Sequence, residues 1–219
     1  MRWRRTLTPP TIEPYHTTGS PAASSVACDG QRVYSFFGSY GLLCYDLAGT
    51  LLWSQVMGPF QDEFSAASSP ILVDGKVILN EDHDIKSFLI AIDSLTGETA
   101  WRVDRPEFTR SYATPVLWNQ GGLNEIVVAG PLQLVAYDAS NGARRWWING
   151  LSRLVDTTPV VSNGHLYLAT WSAGGDGQDR LSMKPFREAV EELDRDANGK
   201  FAKSELTDGP VLLRLFASI

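Results

Sequence analysis

A repeat with a period near 45 residues constrains this chain more than any other feature. Three segments share one pattern: CYDLAGTLLW (44–53), AIDSLTGETAW (91–101) and AYDASNGARRW (136–146). In each, a small residue is followed two positions later by Asp, then by a turn ending in Gly, then by Trp. Asp46, Asp93 and Asp138 are 47 and 45 residues apart, and Trp53, Trp101 and Trp146 are 48 and 45 apart. A second landmark (SSV, SSP, ATP, TTP) is centred on Ser25, Ser69, Thr114 and Thr158, spaced 44, 45 and 44. Two independent landmarks on one period mean that the chain is built from copies of one supersecondary unit.

Within a period the local pattern is four short strands separated by turn residues. The first unit runs SSVAC, RVYSFF, GLLCYD and LLWSQ. Asp29 with Gly30, Asp74 with Gly75 and Asn163 with Gly164 occupy equivalent places between apolar runs. They mark tight hairpins, because Gly and Asn reach positive φ at little cost. Four strands in about 45 residues read as one blade of a β-propeller. The expected fold is therefore mainly β, a partial propeller of about three blades plus parts of two others. The recurrent Trp falls on the outermost strand, where a large ring fills the gap to the next blade rather than stacking on a ligand. Trp3, in WRR, resembles Trp101 in WRV and reads as the last strand of a preceding blade. The chain is thus expected to be a piece of a larger propeller, with the remaining blades of the parent chain as its first partners.

The pattern Ala-x-Asp-x-x-Thr-Gly-x-x-x-Trp is complete at Ala91, Asp93, Thr96, Gly97 and Trp101. It resembles the pyrroloquinoline-quinone (PQQ) type propeller repeat. The third unit has Asn141 in place of Thr; the first is one residue shorter and has Cys44 in place of Ala. That family includes quinoprotein alcohol dehydrogenases and a non-enzymatic outer-membrane assembly lipoprotein. The stretches FFGSYGLLCYDLAG, NEDHDIKSFLIAID and GLSRLVDTTPVV are similar to secreted bacterial PQQ-like repeat proteins, several of which carry an EF-hand insert. The resemblance, which covers about 3–171, implies a periplasmic or extracellular parent protein. The quinone enzymes need a catalytic Asp, a calcium ion on the quinone, an Arg over it and usually a vicinal cysteine pair. Here the two cysteines are not adjacent, and no position carries over as the base. No catalytic residue is assigned and PQQ is not expected. The reading is a non-catalytic binding or scaffold module, with a fragment of a PQQ-dependent dehydrogenase as the alternative.

After LYLATW the composition changes. Residues 172–184 are Gly- and Asp-rich and read as a linker, and 185–219 as a C-terminal α-helical EF-hand segment. Phe186, Ala189, Val190 and Leu193 recur at helical spacing behind Pro185. The stretch LDRDANGKFAKSEL then places Asp194, Asp196 and Asn198 at loop positions 1, 3 and 5, Gly199 at 6 and Glu205 at 12. Calcium takes six to eight hard oxygens, and this spacing folds those side chains, with the backbone carbonyl of Lys200, onto one centre. Ala202 at position 9 offers no oxygen, which predicts weakened binding. Leu212, Leu213, Phe216 and Ile219 restart a helical face, so this hand reads as the first of a pair cut short.

Other features are less specific. The hairpin NEDHD gathers Asp82, His83 and Asp84 beside Glu81, a candidate polar site for a metal or a small polar ligand. The bland reading is a solvated acidic hairpin. Arg153 and Asp156 read as an ion pair between blades, and His16 and His165 as structural or surface residues. A formal charge of −6 and a pI near 5.1 exclude a nucleic-acid binder by electrostatics. No apolar run is long enough to span a bilayer. Cys28 and Cys44 fall on the first and third strands of one sheet, about 10 Å apart, beyond disulfide reach, and both are expected to be buried. Partners of the propeller would be a protein, a polysaccharide or a small polar ligand.

Overall fold

Four copies of the repeat become three complete four-stranded sheets and one hairpin. The structure is a computed structural model that describes residues 3–9, 12–170, 188, 191, 194–199 and 205. The chain divides into two compact units, Met1–Trp171 and Ser172–Ile219.

In the first unit, blade 1 comprises β1 (Ala27–Cys28), β2 (Arg32–Phe36), β3 (Leu42–Asp46) and β4 (Leu51–Gln55). Blade 2 comprises β5 (Ile71–Val73), β6 (Lys76–Glu81), β7 (Phe88–Asp93) and β8 (Thr99–Asp104). Blade 3 comprises β9 (Val116–Gln120), β10 (Leu123–Gly130), β11 (Gln133–Asp138) and β12 (Arg144–Asn149). The fourth repeat contributes the hairpin β13 (Val160–Ser162) and β14 (His165–Tyr167). Every sheet is an antiparallel meander in chain order. The expected partial propeller is what forms.

The middle strands are buried on both faces, which is why they read as near-continuous apolar runs. Val77 and Leu79 of β6 pack toward blade 1, with Tyr34, Phe36 and Leu42. Ile78, between them, packs toward blade 3, with Ile126, Val128 and Tyr137. Alternate residues of one strand thus seal two seams, because successive side chains leave opposite faces of a sheet. Val127, Ala129 and Ala136 repeat the arrangement against Val155, Leu166 and Leu168 of the fourth repeat.

Both landmarks of the repeat prove to be mounts between blades. At the rim, Trp3, Trp53 and Trp101 donate Nε1–H to the carbonyls of Leu47, Ser94 and Ala139 in the next turn, at 3.0, 3.1 and 3.1 Å. Each ring lies on the glycine of that turn: a Cβ on Gly49, Gly97 or Gly142 would stand 2.5, 2.7 or 2.7 Å from it. These glycines also sit at φ +84, +77 and +76°, so the position excludes side chains twice over. The small residue of the motif is the cross-strand partner of the Trp: Cys44 faces Trp53, Ala91 faces Trp101 and Ala136 faces Trp146. The Asp orders the turn; Oδ1 of Asp93 accepts from the N–H groups of Leu95 and Thr96 at 2.9 and 2.8 Å.

The second mount lies just ahead of the first strands, of which β1 approaches β5 and β9 approaches β13. The N–H groups of Ser25, Ser69 and Thr114 donate to the hydroxyls of Ser69, Thr114 and Thr158, at 2.9, 3.1 and 3.2 Å. A ladder of hydroxyls one repeat apart therefore links the inner edges.

One expectation changes. Cys28 is exposed and only Cys44 is buried, because β1 is a two-residue edge strand; both thiols are free. Trp146 packs in the cluster that includes Leu166 and Leu168 of the fourth repeat, as expected, and donates to Oε2 of Glu125 in its own blade, 3.0 Å away. Among the described residues only Glu188 and Glu191 are α-helical, too few to show the expected C-terminal helical segment; the linker 172–184 and the helical faces around Phe186 and Leu212 lie outside them. Among the described residues no helix is long and apolar enough to cross a membrane.

Candidate functional site

The strand β6 ends in polar residues, and its alternation continues into them. Asn80 and Asp82 follow the Ile78 face toward blade 3, while Glu81 and His83 follow the Val77 and Leu79 face toward blade 1. NEDHD therefore does not assemble into one site. It is split by the sheet.

On the blade 3 side, Asp82 takes a two-point ion pair from Arg105, with Nε to Oδ1 at 2.8 Å and Nη2 to Oδ2 at 2.9 Å. Asn80 adds a bond to Asp82 Oδ2 at 3.1 Å. Arg105 also bonds the Tyr137 hydroxyl and lies 4.0 Å from the Phe108 ring centroid. Asp82 and Arg105 are 2% and 1% exposed, so the pair is desolvated and its attraction little screened. Burial alone would lower the Arg105 pKa, yet Asp82 outweighs it and the guanidinium stays charged.

On the blade 1 side the balance of charge differs. His83 Nε2 meets Glu81 Oε2 at 2.9 Å, and Nδ1 meets Asp62 Oδ2 at 3.5 Å. Asp62 belongs to the connection 56–70 between blades 1 and 2, and its Oδ1 accepts from the Tyr112 hydroxyl at 2.9 Å. Phe60 stacks on the imidazole, 3.9 Å between centroids. All three charged groups are buried, and Asp62 Oδ2, Glu81 Oε1 and His83 Nδ1 lack a hydrogen-bond partner. Burial pushes the Glu81 carboxyl up to about 7, more than its bond to His83 draws it down. Burial draws His83 down, but Asp62 and Glu81 outweigh it and raise the imidazole to about 9.

Asp84, the third residue of the expected cluster, turns outward and pairs with Arg110 at 2.7 Å, which also pairs with Glu63. Asp62, Arg105, Arg110 and Tyr137 were invisible as partners in the sequence, because they lie 21 to 54 residues from His83 along the chain. The available signal was the abrupt Asn-Glu-Asp after the apolar Val-Ile-Leu of one buried strand. Arg153 and Asp156 are both exposed, and among the described residues no ion pair joins them.

In the second unit, ligand atoms of Asp194, Asp196 and Glu205 all lie within 4.8 Å of one another. The loop turns through Ala197 and Gly199 at φ +57 and +75°. The N–H of Asn198 donates to Asp194 Oδ1 and Asp196 Oδ1, at 3.1 and 3.2 Å. The N–H of Gly199 reaches Asp194 Oδ2 at 2.6 Å. Glu205 is buried, and its Oε1 accepts from the N–H groups of Arg195 and Asp196 at 2.8 and 3.3 Å. Three carboxylates so close repel one another unless a cation joins them, and an all-oxygen donor set suits a hard divalent ion. Asn198 approaches Asp196 through Nδ2, at 2.8 Å, so ligation by its amide oxygen would need the amide turned over. Lys200, the expected carbonyl donor, lies outside the described residues.

Antiparallel four-stranded blades, mounted on each other by an indole seat and a hydroxyl ladder, define a β-propeller of PQQ-like repeats. Residues 1–146 match the family described as outer membrane protein assembly factor BamB, and the chain belongs to that family. Its fold is similar to BamB from Moraxella catarrhalis, at 22% identity and TM-score 0.53, over 66% of this chain and 42% of that one. A quinohemoprotein alcohol dehydrogenase from Comamonas testosteroni aligns at 18% identity and TM-score 0.42, over 61% and 28%. The chain thus spans less than half of either structure's length. No curated protein matches it.

Proposed function

We propose that this chain is a non-catalytic propeller module that binds protein partners and carries a calcium-binding EF-hand. The convergence of Asp194, Asp196 and Glu205 within 4.8 Å carries the calcium assignment. Asp194, Asp196, Asn198 and Glu205 supply side-chain oxygens and Lys200 its carbonyl. The binding-module reading is supported by the fate of the NEDHD cluster: Asp82, His83 and Asp84 are each engaged by a side chain of an inter-blade connection. Charged groups committed to holding blades together are poorly placed for acid–base chemistry on a substrate. The family description, an assembly factor, points to protein partners, and the same likeness favours a periplasmic or extracellular setting, where calcium is plentiful.

Calorimetric titration with calcium tests the hand. The unmodified protein should bind one ion in this loop, and both Asp194→Ala and Glu205→Ala should lose at least tenfold in affinity. Unchanged binding in both variants overturns the assignment. For the propeller, incubation with PQQ should give neither a bound-quinone absorbance nor dye-linked alcohol oxidation. Activity there would instead establish a quinoprotein dehydrogenase.

A further inference from the structure

The seam between blades 1 and 2 contains a carboxylate, an imidazole and a second carboxylate in series: Asp62, His83 and Glu81. Fully ionised, the set carries a net charge of −1 with every member buried. An uncompensated buried charge is costly, and Glu81 Oε1, with no donor facing it, is the costliest oxygen to leave ionised. The charged groups that face the relay are few. Asp82, on the other side of the sheet, is neutralised by Arg105. Tyr112 bonds the far oxygen of Asp62. Arg110 is taken up by Asp84 and Glu63.

We propose that the Asp62–His83–Glu81 relay is a proton-controlled latch, which holds the inter-blade connection 56–70 against blade 2 while protonated and releases it when deprotonated. A protonated ring has two N–H donors, one for each carboxylate. A neutral ring has one. The Glu81 contact is a hydrogen bond at 2.9 Å, whereas Nδ1 and Asp62 Oδ2 stand 3.5 Å apart as an ion pair without a hydrogen bond, so Asp62 is the carboxylate whose attraction to the ring is lost with the proton. Its connection would then be retained on the blade 2 side by Tyr112, by the Arg110–Glu63 ion pair, by the Phe60 ring against His83 and Phe88, and by the backbone bond from Asp84 N–H to Gln61 O at 3.0 Å, so the release is a local opening at 60–64.

The direction of the pH effect follows from the two raised pKa values. Glu81 rises from 4.5 to about 7 and His83 from 6.5 to about 9 on folding. A group whose folded pKa is raised contributes stability that is complete below the unfolded pKa and is lost as pH climbs through the folded one. Both groups therefore weaken the seam on alkaline titration, across roughly pH 5 to 9. The other resolved shifts among the described residues fall outside that window, the aspartates Asp29, Asp46, Asp93 and Asp138 below it and Cys44 and Tyr34 above it.

The test uses the whole chain in two measurements. In proton NMR, the His83 ring, assigned through its contact with Phe60, should keep its imidazolium shift up to pH 8. Amide exchange at 60–64, corrected for its intrinsic pH dependence, should show an opening constant at least tenfold larger at pH 9.5 than at pH 6.5. His83→Gln should remove that pH response. A neutral His83 at pH 7, or corrected exchange that is flat with pH in the unmodified protein, overturns the proposal. Both measurements on the unmodified protein decide the matter even if the variant does not fold.

Discussion

Blade 2 has two faces that meet their neighbours by the same outer and inner mounts yet end in opposite electrostatic arrangements. Toward blade 3, Asp82 and Arg105 match one charge with one charge, fork to carboxylate. Toward blade 1, two carboxylates share one imidazole. A guanidinium cannot lose its proton in the physiological range, whereas an imidazole can. The first seam is thus fixed at all ordinary pH values. The second responds to protons, although both arise from adjacent residues of a single strand end.

The largest effect that would break this comparison is Arg105→Ala, which strands Asp82 in a dry seam. It should cost about 3–5 kcal/mol in urea denaturation, with the loss persisting from pH 6 to 9. Arg105→Lys should recover only part of it, since an ammonium cannot reproduce the two-point contact. A smaller effect separates the indole seats. Trp101 is buried and Trp53 only partly so, although both donate to a turn carbonyl at 3.1 Å. Trp101→Ala should cost about 3–5 kcal/mol, and Trp53→Ala less by about 1 kcal/mol, read from the same denaturation curves. The smallest difference isolates the seat from backbone strain. Gly30 and Gly97 both have positive φ, but a Cβ on Gly30 meets nothing within 4 Å while one on Gly97 strikes Trp53. Gly30→Ala should cost about 1–2 kcal/mol, and Gly97→Ala an additional 1 kcal/mol or more, roughly, from overpacking.

The fold was legible because single residues of the repeat serve several mechanical purposes at once. Gly97 turns the chain and receives an indole; Ala91 makes room for Trp101; Asp93 ties the turn. Such positions leave a periodic trace that an eye can follow. Trp3 was readable for the same reason, as it takes the seat of Trp53 and Trp101 one blade earlier. The polar end of blade 2 was not legible. Adjacency in NEDHD implied a cluster, but alternation across a sheet sends neighbours to opposite sides, and their partners come from connections distant in sequence. Cys28 misled for a related reason: its β-like context could not show that β1 is too short to cover it. The convergence of Asp194, Asp196 and Glu205 was legible from spacing alone, since their places in one contiguous stretch, rather than distant partners, bring them together.

Mounting each blade at two radii has a further consequence. A panel held at one point pivots, whereas a panel held at its inner and outer edges keeps its pitch. The angle between blades is thus written into every repeat, and length can vary only where neither fastening is disturbed. The hairpin between the second and third strands is such a place: it spans 37–41, 82–87 and 131–132 in the three blades, five, six and two residues, while the turns between third and fourth strands hold to four or five. Freedom to vary is gathered along one edge of the arc, so that edge can acquire a new recognition surface without changing the curvature of the ring beneath it.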